Sequence, residues 1–183
     1  MKNKDYTGTV KVLDAFSYCG QWGVGLGEHF VSQKLSADVT FADSSKAALE
    51  AAALNAKRYG IKATCIDLDL VENDWPIGED FDVAVVDPPA LIKSKKHYFA
   101  GRRAYLKVFL RGLTALKPGG ILVASSCSFH MSREDLREVL LECMQIQSIE
   151  IKIIHEFAGP ADHFRSPQFP EGDYLKGFVC LKL

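Results

Sequence analysis

Phe81-Asp82-Val83-Ala84-Val85-Val86-Asp87-Pro88-Pro89 is the stretch on which the reading of the fold turns. A run this apolar and β-branched reads as a strand buried on both faces, the habit of a central strand in a parallel sheet. Asp87 ends the run, and the two prolines that follow forbid further ladder pairing. One carboxylate is therefore expected at the carboxyl edge of the sheet, where open α/β sheets bind ligands.

Working outward toward the N-terminus, Val10 to Phe16 reads as a first strand with Asp14 near its end. A glycine-rich turn follows. Gly20, Gly23, Gly25 and Gly27 allow close backbone approach to a ligand at the start of a helix reaching about Lys34, although a tight strand-to-helix turn would use the same residues. The dinucleotide pattern Gly-x-Gly-x-x-Gly is missing, because Gly23 and Gly25 would require a glycine where Glu28 stands. Val39 to Ala42 makes a second strand ending at Asp43. Ser44 and Ser45 then offer an N-cap for an alanine-rich helix that Gly60 terminates. Asp43, one βα unit after the glycine turn, is placed to accept both hydroxyls of a ribose or to cap the helix that follows it. Ala63 to Ile66 is a short third strand. At its end Asp67 is a candidate for an adenine amine, with Asp69 as a competitor and a solvated turn as the plainer use of either.

Beyond Asp87 the chain turns basic. Lys93, Lys95 and Lys96, then Arg102, Arg103, Lys107 and Arg111 along a helix, alternate with Tyr98, Phe99 and Tyr105. Such a mix suits phosphate contact with base stacking, and its position beside Asp87 favours RNA or DNA over a merely solvated face. Lys117-Pro118-Gly119-Gly120 is expected to stop that helix before a buried strand Ile121 to Ser125. The strand delivers Ser126, Cys127, Ser128 and His130 to the edge that holds Asp87. Ser132 with Asp135 reads as a capping box for a helix to about Ile146. Ile149 to Phe157 and Tyr174 to Leu181 alternate as closing strands, joined by a polar loop with Asp162, His163, Pro170 and Gly172.

Composition bounds the alternatives. The 183 residues, 48% hydrophobic and 25% charged, suit one domain able to bury roughly 70% of its unfolded surface. A net charge of -1 gives no global attraction to nucleic acid or membrane, so a polyanion must be met by the local basic patch. No apolar run approaches the ~20 residues of a membrane span, and Met1 to Thr7 lacks a signal-peptide core. Cys19, Cys65, Cys127, Cys143 and Cys180 form no Cys-x-x-Cys pair, which argues against a metal site or a disulfide framework and leaves a reducing cytoplasm as the expected compartment.

Taken in order, these residues resemble the class I S-adenosylmethionine-dependent methyltransferases, and within them the bacterial family that makes 5-methylcytosine in large-subunit ribosomal RNA. Leu13-Asp14-Ala15-Phe16-Ser17-Tyr18-x-Gly20 is similar to that family's first motif, with Cys19 and Gln21 where threonine and glycine are usual. Asp87-Pro88-Pro89-Ala90 with Lys93-Ser94-Lys95-Lys96, then Ser126-Cys127-Ser128, then Pro170-Glu171-Gly172-Asp173-Tyr174-Leu175-Lys176-Gly177 are similar to later motifs. Phe164 follows Ala161-Asp162-His163 where proline is usual. The resemblance implies a Rossmann-like α/β domain with a seven-stranded, mostly parallel sheet of order 3-2-1-4-5-7-6 and an antiparallel closing hairpin. It implies S-adenosylmethionine as cofactor, held by Phe16, Tyr18, Gly20, Asp43, Ser44, Asp67, Leu68 and Asp87, with Cys127 and Asp87 as catalytic residues. It implies an RNA partner bound through Lys93, Lys95, Lys96, Arg102 and Arg103. It also implies that residues 1–183 are the methyltransferase domain alone, because members carry an N-terminal RNA-binding PUA domain and this chain begins just before the first strand.

The chemistry supports the narrower resemblance. Carbon 5 of cytosine is too weak a nucleophile to take a methyl group unaided, so a thiolate must first add to carbon 6. Cys127 is the cysteine that the strand pattern places near Asp87. A free thiol is only a few per cent ionised at neutral pH, and an ionised Asp87 beside it would lower that fraction, so Asp87 is expected to act mainly toward the base. Methylation of a nucleobase nitrogen is the competing reaction, although Ala90 and Leu91 stand where such enzymes place a stacking aromatic residue. A nicotinamide oxidoreductase and a non-catalytic RNA-binding module are the alternatives from other classes.

Overall fold

The computed structural model describes residues 8–75, 78, 80–159, 168–169, 172 and 174–183. Its elements run β1 (Thr9–Ala15), α1 (Gln21–Ser32), β2 (Ser36–Asp43), α2 (Lys46–Arg58), β3 (Lys62–Asp67), β4 (Phe81–Val86), α3 (Tyr98–Ala115), β5 (Leu116–Ser126), α4 (Arg133–Gln147), β6 (Ile151–Ala158) and β7 (Lys176–Lys182). One seven-stranded sheet has the order β3-β2-β1-β4-β5-β7-β6. Strands β1 to β5 pair in parallel, and β7 runs antiparallel to both β5 and β6. This is the Rossmann-like methyltransferase fold, with the strand order implied by the resemblance.

The central position of β4 explains its unbroken apolar sequence. Ala84 and Val86 join the core under α3 and α4, whereas Val83 and Val85 join the core under α1 and α2. Alternate side chains of one strand thus serve two hydrophobic layers, so a polar residue at any of these four positions would be stranded in apolar surroundings. Because both layers hold β4 rigidly, the residue at its carboxyl end is fixed as well.

Element ends differ from the sequence reading by one or two residues at most places, and more at the starts of β2 and β5. Helix α3 stops at Ala115, and β5 begins at once with Leu116, so Lys117-Pro118-Gly119-Gly120 lies inside the strand rather than before it. Phe81 pairs with Leu116 and Val83 with Ile121, leaving residues 117–120 as an irregularity. Proline is tolerated there because that stretch makes no regular ladder pairing with β4. The capping box at the start of α4 is present: the Ser132 hydroxyl accepts from the Asp135 N–H at 2.9 Å, and the Asp135 carboxylate accepts from the Ser132 N–H at 2.9 Å. Pro76, the Ala161-Asp162-His163-Phe164 segment, Pro170, Glu171, Asp173 and the start Met1 to Thr7 lie outside the described residues. Among the described residues no helix is long and apolar enough to cross a membrane.

Candidate active site

A cleft of about 870 Å³ opens at the carboxyl ends of β1, β2, β4 and β5. Its first wall is the turn after β1. Phe16 and Tyr18 both take left-handed backbone angles, with φ of 64° and 47°, an unusual conformation for residues with side chains. Hydrogen bonds hold them there: the Phe16 N–H donates to the Ala42 carbonyl at 2.9 Å, and the Tyr18 N–H donates to Asp43 Oδ2 at 2.9 Å. Gly20, at φ 81°, then opens α1. Gly23, one turn on, serves packing rather than a ligand, since a Cβ there would lie 2.6 Å from the Phe41 ring and 2.7 Å from Val39.

Asp43 stands at the end of β2 with its carboxylate in the cleft. Oδ1 accepts the Ser45 N–H at 2.9 Å while Oδ2 accepts Tyr18, so the group is oriented by two backbone donors and keeps lone pairs for hydroxyls of a ligand. Its two readings are therefore compatible, since one carboxylate both braces the turns and faces the cleft. Ser45, not Ser44, caps α2, accepting the Ala48 N–H at 3.3 Å, and Ser44 lines the cleft. At the end of β3 the cleft is lined by Leu68, Asp69, Leu70 and Val71. Asp67 does not line it. Its side chain is half exposed and lies 3.5 Å from the Lys46 ammonium, because alternation along β3 turns it away from the side that Leu68 occupies. Asp69 spends Oδ1 on the Val71 and Glu72 N–H groups of its own turn.

Across the cleft, Asp87 follows β4 and is held on both oxygens. The Trp22 indole N–H donates to Oδ2 at 3.0 Å, and the Ser125 hydroxyl donates to Oδ1. Trp22 also packs its ring at 6.0 Å from Phe157, so the first turn of α1, the end of β4 and the end of β6 meet at one corner. Cys127, half buried, lines the same cleft as Asp87, with Sγ 3.8 Å from the Pro88 carbonyl. Burial pushes its thiol above the ordinary range, and the Asp87 charge pushes it further, while the Lys176 ammonium pulls the other way. Lys176 is itself buried and donates to the Ser128 carbonyl at 2.7 Å and to the Met131 carbonyl, tying β7 to the loop that carries Cys127.

Beneath this surface lies Asp14, fully buried, whose Oδ2 accepts the Gly23 N–H at 2.8 Å. Its Oδ1 has no hydrogen-bond partner among the described residues. Burial, aided by the charges of Asp87 and Asp43, raises its carboxyl to about 7.

The basic stretch is divided by the fold. Lys93, Lys95, Lys96 and Arg103 are exposed, but Arg102 pairs with Glu142 at 2.7 Å and Arg111 donates to the Leu70 carbonyl at 3.1 Å and to Asp74. Lys107 donates to the Glu72 carbonyl at 3.1 Å. Arg102 thus ties α3 to α4 through Glu142. The aromatic residues divide too: Phe99 is exposed, Tyr98 donates to Asp135 at 2.6 Å, and Tyr105 is wholly interior. Trp22, Ser125, Phe157 and Tyr174 reach the cleft without having been singled out for it in the sequence.

Residues 7–155 match the methyltransferase small domain. The chain belongs to that family. S-adenosylmethionine is the methyl donor of this methyltransferase class, and the cleft fits such a group: two oriented carboxylates suit a cation bearing hydroxyls, and Phe16, Leu68 and Leu70 suit an apolar ring. The ribosomal RNA large subunit methyltransferase I of Photobacterium profundum is 32% identical over 181 residues, which cover 96% of this chain and 44% of that protein. The enzyme of the same name from Klebsiella pneumoniae is 31% identical over 98% of this chain and 45% of its own. The methyltransferase domain thus spans less than half the length of the curated relatives it matches. Among solved structures, SMU.776 complexed with SAH aligns with a TM-score of 0.72 at 18% identity, covering 93% of this chain and 44% of the other. TrmN from Thermus thermophilus aligns at 0.63 with 19% identity, covering 98% and 46%. These two likenesses concern the fold.

Proposed function

We propose that this methyltransferase domain transfers a methyl group to carbon 5 of a cytosine in ribosomal RNA through a covalent adduct with Cys127. The observation that carries the reading is that Cys127 and Asp87, 40 positions apart in the chain, line one cleft with the residues suited to the methyl donor. The relatives named as large-subunit ribosomal RNA methyltransferases support the substrate class.

Bound S-adenosylmethionine supplies the electrophilic methyl group. Cys127 gives its proton to water in the open cleft, and its sulfur adds to carbon 6 of the pyrimidine, which moves electron density onto carbon 5. Asp87, fixed by Trp22 and Ser125, shares a proton with ring nitrogen 3 or accepts a hydrogen bond from the exocyclic amine, so that negative charge developing on the ring is neutralised where it forms. Once carbon 5 carries the methyl group, its proton passes to water in the open cleft, the Cys127 sulfur leaves as a thiolate and the double bond between carbons 5 and 6 is restored. Because burial and Asp87 both hold the thiol protonated, deprotonation of Cys127 is the demanding step that the chain itself must manage. Exposed Lys93, Lys95, Lys96 and Arg103 are the proposed phosphate contacts beside the cleft.

Substitution Cys127→Ala and RNA containing 5-azacytosine test the reading together. The wild-type protein is expected to form a denaturation-resistant complex with that RNA and the variant none. Undiminished methylation by the variant would remove Cys127 as the nucleophile.

A further inference from the structure

The two chain segments that bear Asp87 and Cys127 are joined below the cleft by a buried polar cluster. The Ser126 hydroxyl donates to the Tyr105 oxygen at 2.9 Å, and the Tyr105 hydroxyl lies 2.9 Å from Ser128 Oγ. Ser128 Oγ also accepts the Ile92 N–H at 3.1 Å, and the Ser128 N–H donates to Ser126 Oγ at 3.2 Å. Tyr105, Ser126 and Ser128 are all fully or almost fully buried. Because the Tyr105 oxygen accepts from Ser126, its own hydrogen is available to Ser128 Oγ, so the donor roles along this chain are compatible.

A second feature of α3 brings the other segment into place. A Cβ at Gly101, one turn before Tyr105, would lie 2.5 Å from the Leu91 carbonyl oxygen and 2.6 Å from Ile92 Cγ1. The segment that leaves Asp87 through Pro88 and Pro89 therefore lies directly on the helix at Gly101 and is fastened to Ser128 at Ile92. Serines flanking Cys127 on both sides are fastened to Tyr105. One hydroxyl at the middle of α3 sits where both segments are tied.

We propose that Tyr105 is a positioning residue for the reaction: its hydroxyl sets the placement of Cys127 relative to Asp87 by fixing Ser126 and Ser128. Burial keeps its phenol above the ordinary range, so it stays protonated and retains its hydrogen for Ser128 across the working pH range. Its energetic role differs from that of its ring, which packs against Phe109 at 5.8 Å and would stay in place without the oxygen. The proposal deepens the reaction described above and rests on it only for what Cys127 does.

Tyr105→Phe removes the oxygen and keeps the ring; Ser126→Ala removes the donor on the other side of the bond. Both are examined with SAH bound, by iodoacetamide labelling read at each cysteine by peptide mass spectrometry, and by methylation kinetics. In both variants the labelling rate at Cys127 is expected to change at least about threefold and kcat to fall about tenfold, with KM for RNA and SAH affinity within about twofold, since a small displacement of a reacting group acts on the chemical step. Exposed Cys65 and buried Cys143 report folding and should label as in the wild type. If Tyr105→Phe exposes Cys143, Ser126→Ala decides. Folded variants whose Cys127 labelling and kcat both stay within about 1.5-fold of wild type overturn the proposal. Wild-type protein that methylates no RNA overturns the reaction instead, while Cys127 labelling still decides the role of Tyr105.

Discussion

Replacing Asp14 by asparagine isolates the electrostatic strain under the donor turn. In the folded protein the Asp14 carboxyl sits at about 7, against 3.8 when it is not perturbed, a difference of about three units. The folded state therefore binds this proton more tightly than the unfolded chain. Stability contributed by the protonated group is present below about pH 4 and is lost as pH rises through the folded value, because above it the buried group must ionise. At about 1.4 kcal/mol per unit, the difference corresponds to roughly 4 kcal/mol between pH 4 and pH 8 as an order-of-magnitude upper figure. Asparagine keeps an acceptor for the Gly23 N–H and carries no charge. Urea unfolding of both proteins at pH 5 and pH 8 should show the wild type losing more stability over that interval than Asp14→Asn, by roughly 1 to 3 kcal/mol. Equal losses in the two proteins would refute the reasoning and place the ionisation of Asp14 in a better solvated setting than the structure gives it.

Asp43→Asn leaves one of the Tyr18 and Ser45 N–H groups facing an amide donor and removes the charge from the carboxylate expected to accept the hydroxyls of the methyl donor. SAH affinity by calorimetry should fall at least about tenfold, from the loss of one charge-assisted bond, and a change under twofold would contradict the assignment. If Lys93, Lys95, Lys96 and Arg103 are the phosphate contacts, about four neutralised phosphates on single-stranded RNA predict roughly a 50-fold loss of affinity between 50 and 200 mM salt. An affinity that is flat in salt would mean that RNA is held elsewhere or by other means.

Much of the fold was legible because its signals are local. The run Phe81 to Val86 announced a strand covered on both faces, and Ser132 with Asp135 announced a helix start, each from residues within a few positions of one another. The order of the strands came from the resemblance, since no local pattern specifies which strand lies beside which. In the site, Asp87, Cys127 and Asp43 were visible because strand ends punctuated by proline, serine or glycine mark the carboxyl edge. Trp22 and Ser125 were not, because their partner, Asp87, lies 65 and 38 positions away. Tyr105 was misread although the signal existed: Gly101, Tyr105, Val108, Phe109, Gly112 and Leu113 recur at helical spacing and are the buried face of α3. Alternating basic and aromatic residues suggested one surface, whereas the helical period sends Arg102 to Glu142 and Tyr105 inward. Asp67 and Leu68 were named together, and on the structure Leu68 lines the cleft while Asp67 faces Lys46.

Identity of the methylated nucleoside tests the central claim most directly. Ribosomal RNA and intact large subunits, incubated with labelled methyl donor and this protein, are digested and their nucleosides separated. Label in 5-methylcytosine, lost with Cys127→Ala, is the predicted result; label on a ring or exocyclic nitrogen, insensitive to that substitution, would contradict it.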